Sequence, residues 1–155
     1  MNAIDLFARE CRERTSFLTR RQLLQAGLLP AVVEEGLRWV APIGTQTRQA
    51  VTGTELGGIT IPGGAPVGSL VSSANRDETK FADPDRFDIF RPRSVNLAFG
   101  AGRHFCAGHA FSRAQIRIAL EELLARFPDL TLTAEPEFRG WEFRAPRNLP
   151  VRLRL

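Results

Sequence analysis

The sequence predicts a mainly α chain with small β-sheets, an α+β arrangement, on three observations. A long stretch with helical apolar spacing covers about residues 107–127. A shorter one, "LPAVVEEGLRWVAP", opens on Pro30, which suits a first turn, and is stopped by Pro42. Between and after these, glycine and proline cut the chain into short β-branched or alternating pieces. At 155 residues, 43% hydrophobic and 25% charged, the chain is one domain's worth and can bury a core. That composition argues against disorder and collagen-like repeats.

Taken in order, residues 2–14 and 20–28 have mixed spacing compatible with short helices that lack strong caps. The helix near residues 30–41 follows. From residue 43, "TQTRQAVTG", "TELGG", "ITIPGG" and "PVGSLVSS" are expected as strands and tight turns. "ANRDETKFADPDRFDIFRPRSVN" is polar and twice interrupted by proline. It is expected to be ordered but irregular, with one helical turn and with Phe81, Phe87 and Phe90 as apolar anchors. In the long helix, Ala110, Ala114, Ile118 and Leu120–Leu124 are expected to form the apolar stripe, with Arg113, Arg117, Glu121 and Glu122 facing water. The tail, from "LTLT" onward, alternates in places and is expected to form short strands.

The net charge of +4 is carried by arginine, since Lys80 is the only lysine. No basic cluster is interleaved with aromatics and there is no tyrosine, which argues against nucleic-acid binding. No apolar run reaches the length of a membrane span. Arg20 and Arg21 precede an apolar stretch, as in a twin-arginine leader. That stretch, however, runs into Glu34, Glu35 and Arg38 without a small-residue cleavage site, so export is not expected. The two cysteines, Cys11 and Cys106, are far apart, and reduced thiols in a cytoplasmic protein are the default.

The informative stretch is "FGAGRHFCAG", residues 99–108, directly before the long helix. A buried structural cysteine is the ordinary reading of Cys106. Its setting argues for chemistry instead. The helix start places free amides and partial positive charge beside the sulfur, and Gly100, Gly102 and Gly108 allow sharp turns and close approach to a flat ligand. With no second cysteine or histidine at metal-ligand spacing, zinc is excluded. A lone thiolate can serve a metal whose other ligands come from a macrocycle, as in haem.

This loop fits Phe-Gly-x-Gly-x-His-x-Cys-x-Gly and resembles the haem-ligand loop of bacterial cytochrome P450 enzymes. The resemblance implies haem b as cofactor, with Cys106 as iron ligand promoting O–O cleavage. It also implies that Phe99 shields the thiolate and that His104 bonds a haem propionate. Arg48, in "TQTRQA", matches the arginine on the other propionate. "EGLR", Glu35 to Arg38, is similar to the family's Glu-x-x-Arg helix motif, a buried structural pair joined by an arginine for which "DPDRFD" suggests Arg86. His109 carries no expected role.

The resemblance covers about residues 28–155. It divides the chain into a poorly matched N-terminal helical segment, 1–27, and the C-terminal haem-ligand portion of the family's domain, 28–155. The family's distal helices are expected to be lacking: its acid–threonine motif does not occur, and Glu13 with Thr15 lack the small residues around it. The implied activity is a monooxygenase reaction. Two electrons from a ferredoxin- or flavodoxin-type partner activate oxygen, one atom enters a small organic substrate, and the other leaves as water. Arg103, Arg113 and Arg117 are candidates for docking an acidic partner. Two alternatives stand beside it. One is a non-catalytic haem-binding module or remnant, and the other is an interaction protein without haem, whose exposed core face binds another polypeptide. Where haem is held, association with another chain that covers its distal face is expected.

Overall fold

A computed structural model describes residues 24, 27–92, 94–127 and 130–153. Most of the 1–27 segment, including Cys11, Glu13, Thr15, Arg20 and Arg21, lies outside the described residues. The first helix, α1, is Leu29–Trp39. Pro30 sits in its first turn, where a missing N–H costs nothing. The amides of Ala31 and Val32 donate to the Leu28 carbonyl at 3.0 and 3.1 Å. Leu29, Val33 and Leu37, each four residues apart, form its buried apolar row, and Glu35 and Arg38 are buried beside it. The Val40 amide closes the last turn on the Gly36 carbonyl at 2.9 Å, and Pro42 biases residue 41 away from helix.

Strands follow as expected, all in antiparallel pairs. β1, Thr45–Gln49, pairs with β4, Pro66–Leu70, from Thr45 opposite Leu70 to Gln49 opposite Pro66. Between them β2, Thr54–Leu56, and β3, Ile59–Ile61, form a hairpin over a two-residue Gly57-Gly58 turn. "VSS" does not extend β4. It turns into a single helical turn, α2, Val71–Ala74, which drives Val71 into the core. The long helix α3 is His109–Arg126. In the tail, β5, Thr131–Leu132, pairs with β8, Val151–Arg152. β6, Phe138–Arg139, pairs with β7, Ala145–Pro146. The tail is stitched to the entry of β1 where the Gly44 amide meets the Glu142 carbonyl at 2.8 Å.

The core joins Val33, Leu37 and Ala41 to Val71 and Ala98, with Leu97, Phe99 and Leu120 packed against it. Two expectations are corrected here. Phe81 and Phe87 are buried, Phe87 edge-on to Trp39 at 6.1 Å, but Phe90 is 67% exposed. Its amide donates to the Asp88 carboxylate at 3.0 Å in a tight turn that leaves the ring in solvent. In α3 the expected apolar stripe holds toward its C-terminal end, where Leu120 packs against the core and Leu124 is half-buried, but not before it. Ala110, Ala114 and Ile118 are exposed, while Arg113, Arg117, Leu120, Glu121 and Leu124 are half-buried. The half-buried side is the one that meets α1, where Arg113 pairs with Glu34 and Leu120 packs on the core, and arginine stems let that side be covered without being apolar.

The irregular segment has one turn closed by Asp77, whose carbonyl accepts from the amides of Lys80 and Phe81 at 3.0 and 2.9 Å. The Asp77 carboxylate accepts from the Thr79 hydroxyl at 2.7 Å and its amide at 2.8 Å. The hydroxyl bond first, then the amide bond, with a smaller contribution from Lys80, hold this carboxyl below its ordinary 3.8. With the folded value depressed, the stabilisation is complete above 3.8 and is lost as pH falls below it. Asp77→Asn should therefore be less stable than the parent at neutral pH, and the two urea midpoints, followed by circular dichroism, should converge on acidification.

Candidate functional site

The loop of residues 99–108 starts from a buried anchor. The Asn75 side chain, 0% exposed, accepts the Leu97 amide at 2.7 Å. The Gly100 amide donates to the Leu97 carbonyl at 2.9 Å, and the Cys106 amide returns to the Phe99 carbonyl at 3.0 Å. Between them Gly100 and Gly102 take φ of +75° and +67°, which a side chain would strain. A 3-10 turn over Gly102–His104 then carries the chain to Phe105 and Cys106. Cys106 is a free, half-buried thiol. A Cβ built on Gly108 would lie 3.9 Å from its sulfur, so glycine keeps that flank of the sulfur open.

Of the residues expected at this site, Phe99, Gly100, Gly102, Cys106 and Gly108 are brought together by the loop itself. His104 lies on its exposed rim. Arg48 reaches it through a residue the sequence did not single out. The Gln46 amide nitrogen lies 3.5 Å from where a Gly100 Cβ would sit, and Arg48 donates to the Gln46 side-chain oxygen at 3.4 Å and to the Thr47 carbonyl at 2.8 Å. Gln46 and Arg48 are two apart on β1 and so project from the same face.

His109, without an expected role, is also part of the site. Its ring lies 4.7 Å from Phe105 and edge-on to Phe99 at 6.4 Å. Arg113, one turn on, places its guanidinium 4.5 Å over the Phe99 ring and 3.1 Å from His109 Nδ1. No three His, Cys, Asp or Glu side chains gather as a metal site among the described residues, so a metal here would have Cys106 as its protein ligand. That donor set fits haem, and glycine at 100, 102 and 108 fits close approach of a flat group.

Beneath the loop lies the Glu35–Arg38 pair. Arg38 Nε and Nη2 hold the two Glu35 oxygens at 2.8 and 2.7 Å, with both side chains buried. The arginine that joins them is Arg91, not Arg86: Arg91 Nε lies 3.3 Å from Glu35 Oε1. Arg86 contributes its carbonyl, which accepts Arg38 Nη2 at 3.0 Å and Arg91 Nη2 at 2.9 Å. Its own guanidinium lies 4.0 Å from the exposed Asp83 and keeps one buried nitrogen unpaired. The Asp88 amide bonds Glu35 at 2.8 Å and swings the following residues so that Arg91, three on, faces the carboxylate.

A cleft of about 470 Å³ between α1 and residues 88–92, 94 and 96 includes Glu35 and Arg91 but no residue of the cysteine loop. Of the arginines expected to dock a partner, Arg103 is exposed, while Arg113 pairs with Glu34 and Arg117 with Glu121. No helix among the described residues is long and apolar enough to cross a membrane.

The family model described as Cytochrome P450 matches residues 9–138. The chain belongs to that family. It is 43% identical over 130 residues to cytochrome P450 107B1 of Saccharopolyspora erythraea, covering 81% of this chain and 32% of that protein. It is also 43% identical to the mycinamicin IV hydroxylase/epoxidase of Micromonospora griseorubida, covering 85% and 35% of the two chains. Among solved structures, cytochrome P450 CYP109Q5 from Chondromyces apiculatus superimposes with a TM-score of 0.86 at 39% identity, over 96% of this chain and 38% of that one. This P450 chain thus has part of the P450 fold and spans about a third of the length of the curated relatives it matches.

The different roles of the two arginines can be measured. Arg91→Gln removes a bond to a buried carboxylate and the contacts that Arg91 makes to the carbonyls of Ala82, Asp83 and Arg86. It should cost about 2–4 kcal/mol in urea unfolding. Arg86→Gln, which leaves every backbone acceptor in place, should cost less than about 1 kcal/mol.

Proposed function

We propose that this chain carries the haem-ligand portion, residues 28–155, of a P450 monooxygenase, with Cys106 as the thiolate ligand of the iron. The observation that carries the reading is the loop geometry. A free thiol sits at the mouth of a left-handed glycine turn, with an open flank at Gly108 and a helix start behind it. When bound, haem b supplies the oxygen-activating chemistry by which P450 monooxygenases place one oxygen atom in an organic substrate.

The chain's own residues hold and shape that site. Cys106 presents sulfur. Gly100 and Gly102 turn the backbone away, and Phe99 and Phe105 limit the access of water. His104 and Arg48, both exposed at the rim, offer a hydrogen-bond donor and a positive charge for the propionates. Glu35, Arg38 and Arg91 have a structural role, fixing the segment below the loop. Arg103 is the free cation best placed to meet an acidic ferredoxin- or flavodoxin-type donor. Phe111, Ile116, Ile118 and Leu123 on α3 expose apolar surface that the remainder of a P450 fold, or a second chain supplying it, would cover. A reducing, cytoplasmic setting suits a ligand thiol that must stay free.

The test is spectroscopic. The purified chain, mixed with hemin and reduced under carbon monoxide, should show the strongly red-shifted Soret band of a thiolate–haem–CO complex. Cys106→Ser should lose that band, and Gly108→Leu, which keeps the thiol but crowds it, should weaken it. A chain that stays colourless, or a Cys106→Ser variant that gives the same band, defeats the reading.

A further inference from the structure

Arg113 was expected to face water and meet a partner. Instead it is the most connected side chain around the cysteine loop. It is 30% exposed and grips Glu34 of α1 through two of its nitrogens, Nε to Oε1 and Nη2 to Oε2, the latter at 3.2 Å. Its Nη1 lies 3.1 Å from His109 Nδ1 and 3.4 Å from the His109 carbonyl. Its guanidinium carbon stands 4.5 Å over the Phe99 ring. One planar group therefore binds α1, the start of α3 and the loop's first residue together, which a flexible ammonium could not do at once.

The connection to sulfur is short. The Phe99 carbonyl accepts the Cys106 amide, so displacing Phe99 displaces Cys106. The Cys106 carbonyl in turn accepts the His109 amide at 3.3 Å, so the second residue that Arg113 touches is also bonded to the cysteine. From this geometry we infer that Arg113 is a positioning residue for the cysteine loop. Clamped by Glu34, it holds Phe99 and His109 and so fixes the placement of the Cys106 sulfur. The inference deepens the proposed function and rests on Cys106 being the ligand, but the loop can be examined without haem.

The chain has two cysteines, so Cys11→Ser leaves Cys106 as its single thiol. In that background the alkylation rate of Cys106 by iodoacetamide is measured up to its high-pH plateau, where altered charge near the sulfur no longer changes the ionised fraction. Arg113→Gln and Glu34→Gln should each raise the plateau rate roughly tenfold, the size of one lost charged contact. The double variant should rise no further than either single, because both break one clamp. Arg113→Lys should also rise, since charge alone does not hold three partners. Arg117→Gln, whose salt bridge to Glu121 lies within α3, should leave the rate unchanged.

Plateau rates within about twofold of the parent in both single variants, full rescue by lysine, or a double variant equal to the product of the singles would each overturn the inference. If Arg113→Gln loses helix by circular dichroism, the milder Glu34→Gln decides alone. In hemin-loaded chains, Arg113→Gln should move part of the ferrous–CO Soret band away from the red-shifted position. An unmoved band, where Cys106→Ser abolishes it, also counts against the inference. Hemin binding that ignores Cys106→Ser would instead sink the haem reading and leave the alkylation result standing.

Discussion

Arg38 has five N–H groups, and all five find acceptors in the interior. Two go to the Glu35 carboxylate one turn back, two to the carbonyls of Asn75 and Pro84 at 3.0 and 2.9 Å, and one to the carbonyl of Arg86. Glu35 is filled in the same way, by Arg38, Arg91 and the Asp88 amide. Taking an ion pair out of water is unfavourable unless its remaining donors and acceptors are met, and here they are. The gain falls mainly to residues 75–91, which have no strand partner: the carbonyls of Asn75, Ala82, Asp83, Pro84 and Arg86 bond to the guanidiniums of Arg38 and Arg91. The buried pair is therefore what allows an irregular segment to be ordered. It also sets Asn75, from which the Leu97 amide and the cysteine loop hang.

Much of this was legible in the residues. Pro30 and Pro42 bracket α1, Gly57-Gly58 marks the hairpin, and the spacing of glycine, histidine and cysteine marks the loop before α3. The choice between Arg86 and Arg91 was not legible. Both belong to one arginine-rich string, and only the turn at Asp88 decides which guanidinium swings inward. The same turn leaves the Phe90 ring outside, where hydrophobicity alone would have buried it. The face of α3 was equally ambiguous, because residues 110, 114 and 118 and residues 113, 117, 120 and 124 both recur at helical spacing. Arginine stems can cover apolar surface, so hydropathy could not rank the two sets, and the side that packs on α1 is the one on which Arg113 meets Glu34 and Leu120 meets the core. Gln46 belongs to no motif and gains its place only from the approach of β1 to Gly100.

Consecutive glutamates give α1 its double role. Neighbouring helix residues point about 100° apart, so Glu34 and Glu35 cannot serve the same partner. Glu35 faces inward and secures the segment that leads into the loop. Glu34 faces α3 and secures, through Arg113, the residues at which the loop ends. Entry and exit of the cysteine loop are thus referred to one rigid element, through Asn75 on Leu97 and through Arg113 on Phe99 and His109.

The opposite side of the loop has a different character. Arg103, His104 and Phe105 are exposed, and Cys106 is only half covered. A base fixed at two points beneath an open rim separates two tasks that conflict in a single shell of residues. The base sets where sulfur sits before any ligand arrives, and the rim stays free to meet a large flat group and its charged edges. Positioning done in advance need not be paid for at binding, which is why the ion pairs of α1, though they touch no ligand themselves, bear on how well Cys106 can hold one.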